Sequence, residues 1–158
     1  MEKYNRKPIR LPAYDYCQNG MYFLTVCTQG RQCLFWDAGT PSLNLRGKMV
    51  QCWIGKLPDK FDGVILDTYT IMPNHIHLLL YLHGSQTDIP SIMQWLKTMT
   101  TNDYIQMVKE EKAPSFSKRI WQRSYYDHVV RNETDLTEIR AYIQNNPAKW
   151  QLDRFYPE

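Results

Sequence analysis

The sequence predicts an α+β protein with a ferredoxin-like, split βαβ arrangement, in which an antiparallel sheet is joined by an added C-terminal helix. Short aromatic and β-branched runs bounded by glycine or proline predict strands, and apolar residues at helical spacing predict helices. Their order is strand, helix, strand, strand, helix, strand, helix, which is the split βαβ order with one helix added. At 158 residues the chain fits one domain. We place it at residues 21–150, between a basic arm at 1–20 and a tail at 151–158.

The first half of the predicted fold is a strand, a helix and a hairpin. Val50, Trp53 and Ile54 recur at the i, i+3, i+4 spacing of a helix that packs by one face. The Pro73-Asn74 pair is a tight connection between two strands, which therefore form a hairpin. The predicted elements of this half are a strand at 21–28, a loop at 30–46, a helix at 48–60 and strands at 64–72 and 75–83.

The second half is a long helix, a strand and a final helix. Asp88 opens the long helix as an acidic cap followed by an early proline, and the helix runs toward Lys112. Residues 119–130 are aromatic and β-branched, which predicts the fourth strand. Asn132 then caps the last helix, which Pro147 ends.

Basic residues mixed with aromatic ones suggest a nucleic-acid partner. The formal net charge is only +3, but positive residues crowd the N-terminus and the segment 112–131, which also holds Trp121, Tyr125 and Tyr126. This mixture suits a phosphate backbone with unstacked bases better than a membrane. A solvated charged face is the alternative. The candidate DNA contacts are Arg6, Lys7, Arg10, Lys97, Arg119, Trp121 and Arg123.

Cysteine usage and hydropathy predict the compartment. The chain has no Cys-x-x-Cys pair and no zinc-ribbon spacing, so free thiols in a reducing environment are expected. No apolar run reaches the length of a membrane span, and the N-terminus lacks the apolar core of a signal peptide. We expect a cytoplasmic protein that does not contact a membrane.

A His-x-His pair opens the third predicted strand. Side chains two apart on a strand share a face, so His75 and His77 should lie together with their Cα atoms roughly 6.5 Å apart. Two imidazoles so placed can hold one metal ion. The opposite face, from Ile76 to Leu82, is apolar and packs in the core, which leaves the histidine face free for chemistry. The alternative is two ordinary, partly buried histidines.

Tyr142 and Asn146 share one side of the last predicted helix. They are four residues apart, so one lies a turn above the other, beside the apolar stripe of the helix. A hydroxyl and an amide oxygen therefore point into the same space at the edge of the sheet. The alternative is a packing role for Tyr142 and a helix C-cap at Asn146.

Three sequence blocks carry a resemblance to a known family. They are Pro73-Asn-His-Ile-His77, Ile120-Trp-Gln-Arg-Ser-Tyr-Tyr-Asp-His-Val-Val-Arg-Asn132, and Ala141-Tyr-Ile-Gln-Asn-Asn-Pro147 followed by Trp150. In this order and spacing the chain resembles the REP-associated tyrosine transposases, relatives of the small single-tyrosine insertion-sequence transposases within the HUH endonuclease superfamily. The similarity extends from about Met21 to Trp150.

The resemblance implies a role for each matching residue. His75, His77 and Asn146 would hold a divalent metal ion, Mg²⁺ or Mn²⁺, and Tyr142 on the last helix would be the nucleophile. The implied activity is cleavage and rejoining of single-stranded, hairpin-forming DNA through a 5′-phosphotyrosine intermediate.

Other polar residues are expected to be accessory or structural. Lys97 and Asp67 are candidate helpers of the nucleophile, since an unperturbed tyrosine titrates at about pH 10 and needs a base or a positive charge. Tyr125 and Tyr126 lie in the strand-like block, where the resemblance implies no nucleophilic role. We expect His128 to be structural.

Two other functions fit parts of the pattern. A ferredoxin-like sheet with exposed aromatic residues can bind single-stranded nucleic acid by stacking, without catalysis. A metal-dependent phosphoesterase would use water and form no covalent adduct. Both a monomer and a homodimer are compatible with the sequence.

Overall fold

Four strands of the described residues form one antiparallel sheet. The computed structural model describes residues 19–38, 41–84 and 86–157, so the N-terminal candidates Arg6, Lys7 and Arg10 lie outside the described residues. The strands are β1 (Gly20–Cys27), β2 (Val64–Ile71), β3 (His75–Leu82) and β4 (Tyr126–Val129). Their order in the sheet is β2-β3-β1-β4. The two strands of each β-α-β unit are therefore separated by one strand of the other unit. The predicted α+β, ferredoxin-like fold is therefore confirmed.

Helices connect these strands and follow the last of them. They are α1 (Leu45–Gly55), α2 (Leu57–Lys60), α3 (Ile89–Lys109) and α4 (Glu133–Asn145), with 3-10 helices at Gln29–Arg31 and Pro147–Leu152. The helix predicted at 48–60 is interrupted at Lys56. Pro58 causes the break, because it has no N–H to continue the ladder and its ring clashes with the carbonyl four residues back. Among the described residues, no helix is both long and apolar enough to cross a membrane.

Asparagine and aspartate side chains begin the three longest helices. Each accepts a hydrogen bond from the backbone N–H three residues further on, which satisfies a donor that the first helical turn leaves unpaired. The capping residues are Asn44, Asp88 and Asn132. The caps predicted at Asp88 and Asn132 are confirmed.

The two faces of the sheet have different partners. The even-numbered residues of β3, from Ile76 to Leu82, lie in the main core with α1 and α3. On the other face, Leu79 packs with Phe23 in a second cluster that contains apolar residues of α4. Because side chains alternate along a strand, His75 and His77 lie on this second face, under α4.

β4 is shorter than the strand predicted at 119–130. The Lys97 ammonium, on α3, donates hydrogen bonds to the carbonyls of Gln122 and Arg123, both at 2.8 Å. These contacts draw the chain toward α3, so the regular ladder with β1 is limited to the four residues that begin at Tyr126, and only isolated hydrogen bonds, such as that from the Gln122 N–H to the Cys27 carbonyl, precede it.

Candidate active site

The two histidines lie side by side beneath α4 and the C-terminal segment, which we define as residues 147–157. Their ring centroids are 4.7 Å apart, and the exposed fractions are 0% for His75 and 2% for His77. The rings share one face of the sheet, as predicted. The expectation that this face is free is wrong, because Tyr142 of α4 and Phe155 of the C-terminal segment pack against the rings.

Each histidine is oriented through its Nδ1 atom. His75 Nδ1 is 2.8 Å from Oδ1 of Asn74, whose amide nitrogen donates to the carbonyl of Phe155 at 2.7 Å. The asparagine oxygen is thus the acceptor, and His75 Nδ1 is the donor. Thr25, directly opposite His77 on β1, holds the second ring at Nδ1 through its hydroxyl at 2.8 Å. Neither Asn74 nor Thr25 contacts an Nε2 atom. A histidine that is held at Nδ1 while Nε2 stays available is typical of metal sites.

Burial keeps both imidazoles neutral. It lowers the pKa of His77 to about 3, with a further contribution from the charge of Arg154. Burial also lowers the pKa of His75 well below its ordinary value, helped by the neighbouring His77 and by the charges of Arg154 and Arg31. A neutral imidazole has a lone pair available, which is the form that binds a metal ion.

Tyr142 and Asn146 approach the histidines from α4. The partly buried Tyr142 ring lies 5.3 Å from the His77 ring, centroid to centroid, and Asn146, the C-cap residue, is 4% exposed. Burial and the charge of Asp153 raise the pKa of Tyr142, while a hydrogen bond from the Asn146 side chain and the charge of Arg154 lower it in part. The phenol is therefore protonated at neutral pH and needs activation to act as a nucleophile.

Three buried polar atoms of this site have no hydrogen-bond partner. They are Nε2 of His75, Nε2 of His77 and Oδ1 of Asn146. Buried polar atoms are rarely left unpaired, and two imidazole nitrogens with an amide oxygen are donors that a divalent ion accepts. In the part of the chain that the structure describes, no three His, Cys, Asp or Glu side chains form a metal cluster by themselves. A metal site here would therefore depend on the amide of Asn146.

Two polar contacts hold α4 in place over the sheet. Asp67, at a β-bulge in β2, accepts hydrogen bonds from Arg140 of α4 at 2.9 and 2.6 Å. The structure gives Asp67 this structural contact, and its role as a helper of the nucleophile stays a prediction. His128 of β4 lies 2.7 Å from the carboxylate of Asp135, near the start of α4. The structural role expected for His128 agrees with this contact.

Sequence reasoning missed two residues of the C-terminal segment. The Phe155 ring lies 4.5 Å from the His75 ring, centroid to centroid, and Asp153 Oδ2 lies 3.9 Å from His75 Nε2. Both follow the last family-like block, in the part predicted to be a tail, and no motif or periodicity marks them. The structure thus extends the site beyond the predicted domain boundary.

One of the candidate DNA contacts is a core residue. Trp121 is 4% exposed, and its ring lies 5.3 Å from the ring of Phe35, so it belongs to the core and cannot serve as a surface for base stacking. The ammonium of Lys97 donates to two backbone carbonyls, and its roles as a DNA contact and as a helper of the nucleophile stay predictions. Arg119 is partly exposed and Arg123 is exposed, and both stay predicted DNA contacts.

Trp121→Ala is expected to lower the free energy of unfolding by about 3 to 5 kcal/mol, because loss of a buried tryptophan leaves a cavity. It also removes the donor to the Thr100 hydroxyl, 2.9 Å away. Urea denaturation measures the change. The matched control is Arg123→Ala at an exposed position, which should change stability by less than about 0.5 kcal/mol. Wild-type stability of Trp121→Ala would show that this ring is not part of the core.

A groove beside the site carries aromatic rings. Its volume is about 1220 Å³, and its lining includes Trp36, Trp150 and Tyr156. The Trp150 ring lies 6.0 Å from the Trp36 ring and 5.2 Å from the Tyr156 ring. It also lies 6.0 Å from the His75 ring, so the groove adjoins the histidine pair. The charged lining residues are Arg46, Lys112, Lys149 and Asp37.

Comparison with known sequences finds a family and two relatives. Residues 46–146 match the family described as transposase, IS200-like. An uncharacterised protein of Haemophilus influenzae is 32% identical, over 97% of this chain and 94% of its own length. A second protein of that organism, assigned by name to the REP-associated tyrosine transposases, is 28% identical, over 85% of this chain and 74% of its own length.

Two solved structures resemble the fold. One is a REP-associated tyrosine transposase bound to a REP hairpin, with a TM-score of 0.64, 21% identity, and coverage of 98% of this chain and 77% of that chain. The other is a Deinococcus radiodurans protein described as a transposase, with a TM-score of 0.55, 22% identity, and coverage of 86% and 95%. Both likenesses concern the fold, and they agree with the sheet and helices described above.

Proposed function

The chain belongs to the IS200-like transposase family, and on that premise we propose that it cleaves and rejoins single-stranded, hairpin-forming DNA with a divalent metal ion and Tyr142 as nucleophile. Membership makes the chain a tyrosine transposase and confirms the resemblance found in the sequence. The metal, the residue roles and the form of the DNA are our proposals. One observation carries them: the rings of His75 and His77 lie 4.7 Å apart beside Tyr142, and buried polar atoms of both histidines and of Asn146 have no hydrogen-bond partner.

We assign the metal ion to His75, His77 and Asn146. Imidazole nitrogens and an amide oxygen fit Mn²⁺ or Mg²⁺. When bound, such an ion supplies positive charge to the non-bridging oxygens of a phosphodiester, which neutralises and orients it. Asn74 and Thr25 act through the histidines, since they hold each Nδ1 atom and thereby set the direction of each Nε2 atom.

We assign the attack on phosphorus to Tyr142. Its phenol oxygen bonds to the phosphorus while the bond from phosphorus to the 3′ oxygen of the preceding nucleotide breaks. The phenol loses one proton and the departing 3′ oxygen gains one, so the products are a 5′-phosphotyrosine and a free 3′ hydroxyl. Because the phosphoester is retained, attack by another 3′ hydroxyl rejoins the strands. The hydrogen bond from Asn146 favours the ionised phenol and so supports the step.

DNA must displace part of the C-terminal segment to reach this site. The cavity between His77 and Tyr142 has a volume of about 10 Å³, and Arg154 and Phe155 form part of its wall. That volume holds about one water molecule, far less than a phosphodiester. The adjoining groove offers aromatic rings on which unstacked bases can lie.

Hairpin DNA with single-stranded flanks should bind more tightly than a perfect duplex of the same length. A stacked duplex keeps its bases away from the aromatic groove, and one solved protein of similar fold is bound to a REP hairpin. Affinity for either DNA should fall as salt rises, because neutralised phosphates release counterions. Fluorescence anisotropy at fixed salt measures both affinities. Equal binding of hairpin and duplex would count decisively against the preference.

A labelled hairpin incubated with the protein and Mn²⁺ tests the reaction itself. We expect a covalent protein–DNA band on a denaturing gel, sensitive to protease and absent in excess chelator. Cleavage without such a band would indicate a phosphoesterase that uses water. Binding without cleavage would indicate a module that only binds nucleic acid.

A further inference from the structure

We propose that the ion pair between Asp67 and Arg140 positions the nucleophile by fixing the rotation of α4 about its own axis. The inference rests on the proposed function, because it takes Tyr142 as the group that attacks phosphorus. Asp67 and Arg140 are positioning residues in this proposal. They act through α4 and touch neither the DNA nor the reacting atoms.

A β-bulge in β2 directs Asp67 toward α4. Val64 and Leu66 pack in the main core before the bulge, whereas the odd-numbered Ile71 packs there after it. Because side chains alternate along a strand, this change from even to odd positions requires one extra residue. Pairing with β3 passes from Leu66 to Thr68, so Asp67 is that residue. The bulge thus takes Asp67 out of the ladder, and its carboxylate reaches α4.

The contact between the two side chains is bidentate. Nε of Arg140 donates to Oδ1 of Asp67 at 2.9 Å, and Nη2 donates to Oδ2 at 2.6 Å. Two such bonds between a guanidinium and a carboxylate fix direction as well as distance. Apolar packing is non-directional, so the contacts of Ile139 and Ile143 with the sheet hold α4 in place without setting its rotation as tightly.

Arg140 and Tyr142 lie on opposite sides of the apolar stripe of α4. Successive residues of a helix turn by about 100° around its axis. The stripe of Ile139 and Ile143 therefore has Arg140 on one side and Tyr142 on the other. Arg140 reaches the edge strand β2, and the Tyr142 ring contacts the ring of His77. A rotation of α4 that separated Arg140 from β2 would also move Tyr142 relative to His77.

A small rotation is enough to misplace the hydroxyl. Side chains of a helix extend to about 5 to 6 Å from its axis, so a rotation of about 20° moves their outer atoms by about 2 Å. A misplacement of about 1 Å can lower a reaction rate about 100-fold. Asp67 and Arg140 both contact solvent, and such ion pairs contribute little to stability. Loss of the pair should therefore slow the attack and leave the fold intact.

The rate of adduct formation at saturating hairpin DNA tests the proposal. Asp67→Ala and Arg140→Ala should each lower this rate by at least about tenfold. The Kd for the hairpin, measured by anisotropy, and the midpoint of urea denaturation should stay as in the wild type. Asp59→Ala and Lys60→Ala remove the same charges at exposed positions of α2, and they should react as the wild type does. A wild-type rate in either Asp67→Ala or Arg140→Ala, or a slower rate that only follows loss of folded protein, would overturn the proposal.

The double variant shows whether the two residues act as one unit. If they act only through their contact, Asp67→Ala/Arg140→Ala should react no more slowly than the slower single variant. Losses that multiply would assign separate roles to the two residues and would overturn the proposal. A loss of rate in Asp67→Ala alone would overturn it as well, and would favour a carboxylate that assists the nucleophile directly.

Two further reactions separate this inference from the proposed function. If the wild type forms no adduct, or if Tyr142→Phe forms one, the assignment of the nucleophile is wrong and the positioning role is lost with it. If only Tyr142→Phe loses the adduct while Asp67→Ala and Arg140→Ala react at the wild-type rate, the nucleophile stands and only the positioning role is wrong.

Discussion

Tyr142→Phe is expected to bind hairpin DNA as the wild type does and to form no covalent adduct. Phenylalanine keeps the ring that contacts Phe23 and His77 and removes only the hydroxyl that would bond to phosphorus. Removal of the nucleophile costs on the order of 10⁶ in rate in a serine protease. At a comparable loss, no protein–DNA band should be visible on a denaturing gel.

Tyr126→Phe is the sharpest control for this experiment, because Tyr126 lines the same small cavity as Tyr142. Tyr125→Phe is a second control at a core position that is 4% exposed. Both controls should retain adduct formation. A band from Tyr142→Phe, together with loss of the band in Tyr126→Phe, would move the nucleophile from α4 to β4.

The double substitution His75→Ala/His77→Ala should reduce cleavage by more than about 100-fold, since loss of an outer-shell partner alone typically costs 10–100-fold in metal affinity or activity. Hairpin binding should persist, because neither buried ring contacts DNA in the proposed complex. Cleavage of the labelled hairpin with Mn²⁺ measures the first effect, and anisotropy measures the second. Thermal unfolding checks that the variant is folded.

His83→Ala is the control for loss of an imidazole near β3. His83 is exposed and follows the last residue of β3, so its substitution should leave cleavage unchanged. Undiminished cleavage by the double variant, or by wild type in excess chelator, would show that the metal assignment is wrong.

Periodicity was enough to predict the parts of the site that lie on regular elements. Alternation along β3 puts His77 and Leu79 on one face, and the helical repeat of α4 puts Ile139 and Ile143 against that face. Tyr142 lies beside this stripe. The contact between the histidine pair and the tyrosine therefore follows from the alternation along β3, the helical repeat of α4 and the packing of α4 on the sheet.

Trp121 shows where local pattern was insufficient. The block around it is aromatic and β-branched, which predicts a strand with rings at the surface. Its true position depends on Phe35 and Thr100, and the path of the chain beside it depends on Lys97 of α3. None of these partners is adjacent in sequence, so neither propensity nor periodicity could identify them.

The C-terminal part of the site could not be predicted from the sequence either, because its contacts also join residues that are far apart in the chain. The hydrogen bond from Asn74 to the Phe155 carbonyl joins residues 81 positions apart. It brings Asp153 to the histidines from a segment without motif or apolar repeat. Such a contact depends on how the whole sheet, α4 and the following turn pack together.

DNA should become linked to Tyr142, and the linked amino acid can be identified directly. Trypsin cleaves after Arg140 and Lys149, so Tyr142 is released in a peptide of residues 141–149 that contains no other tyrosine. Cleavage after Arg123 and Arg131 releases the two competing tyrosines together, in a peptide of residues 124–131. The two assignments therefore give different peptides.

Mass spectrometry of the trapped adduct, after digestion with nuclease and trypsin, is the measurement that decides between them. We predict a residual 5′-phosphonucleotide on the peptide 141–149, at Tyr142. A nucleotide on the peptide 124–131 instead, or cleaved DNA with no modified tyrosine peptide, would contradict the assignment of the nucleophile to Tyr142.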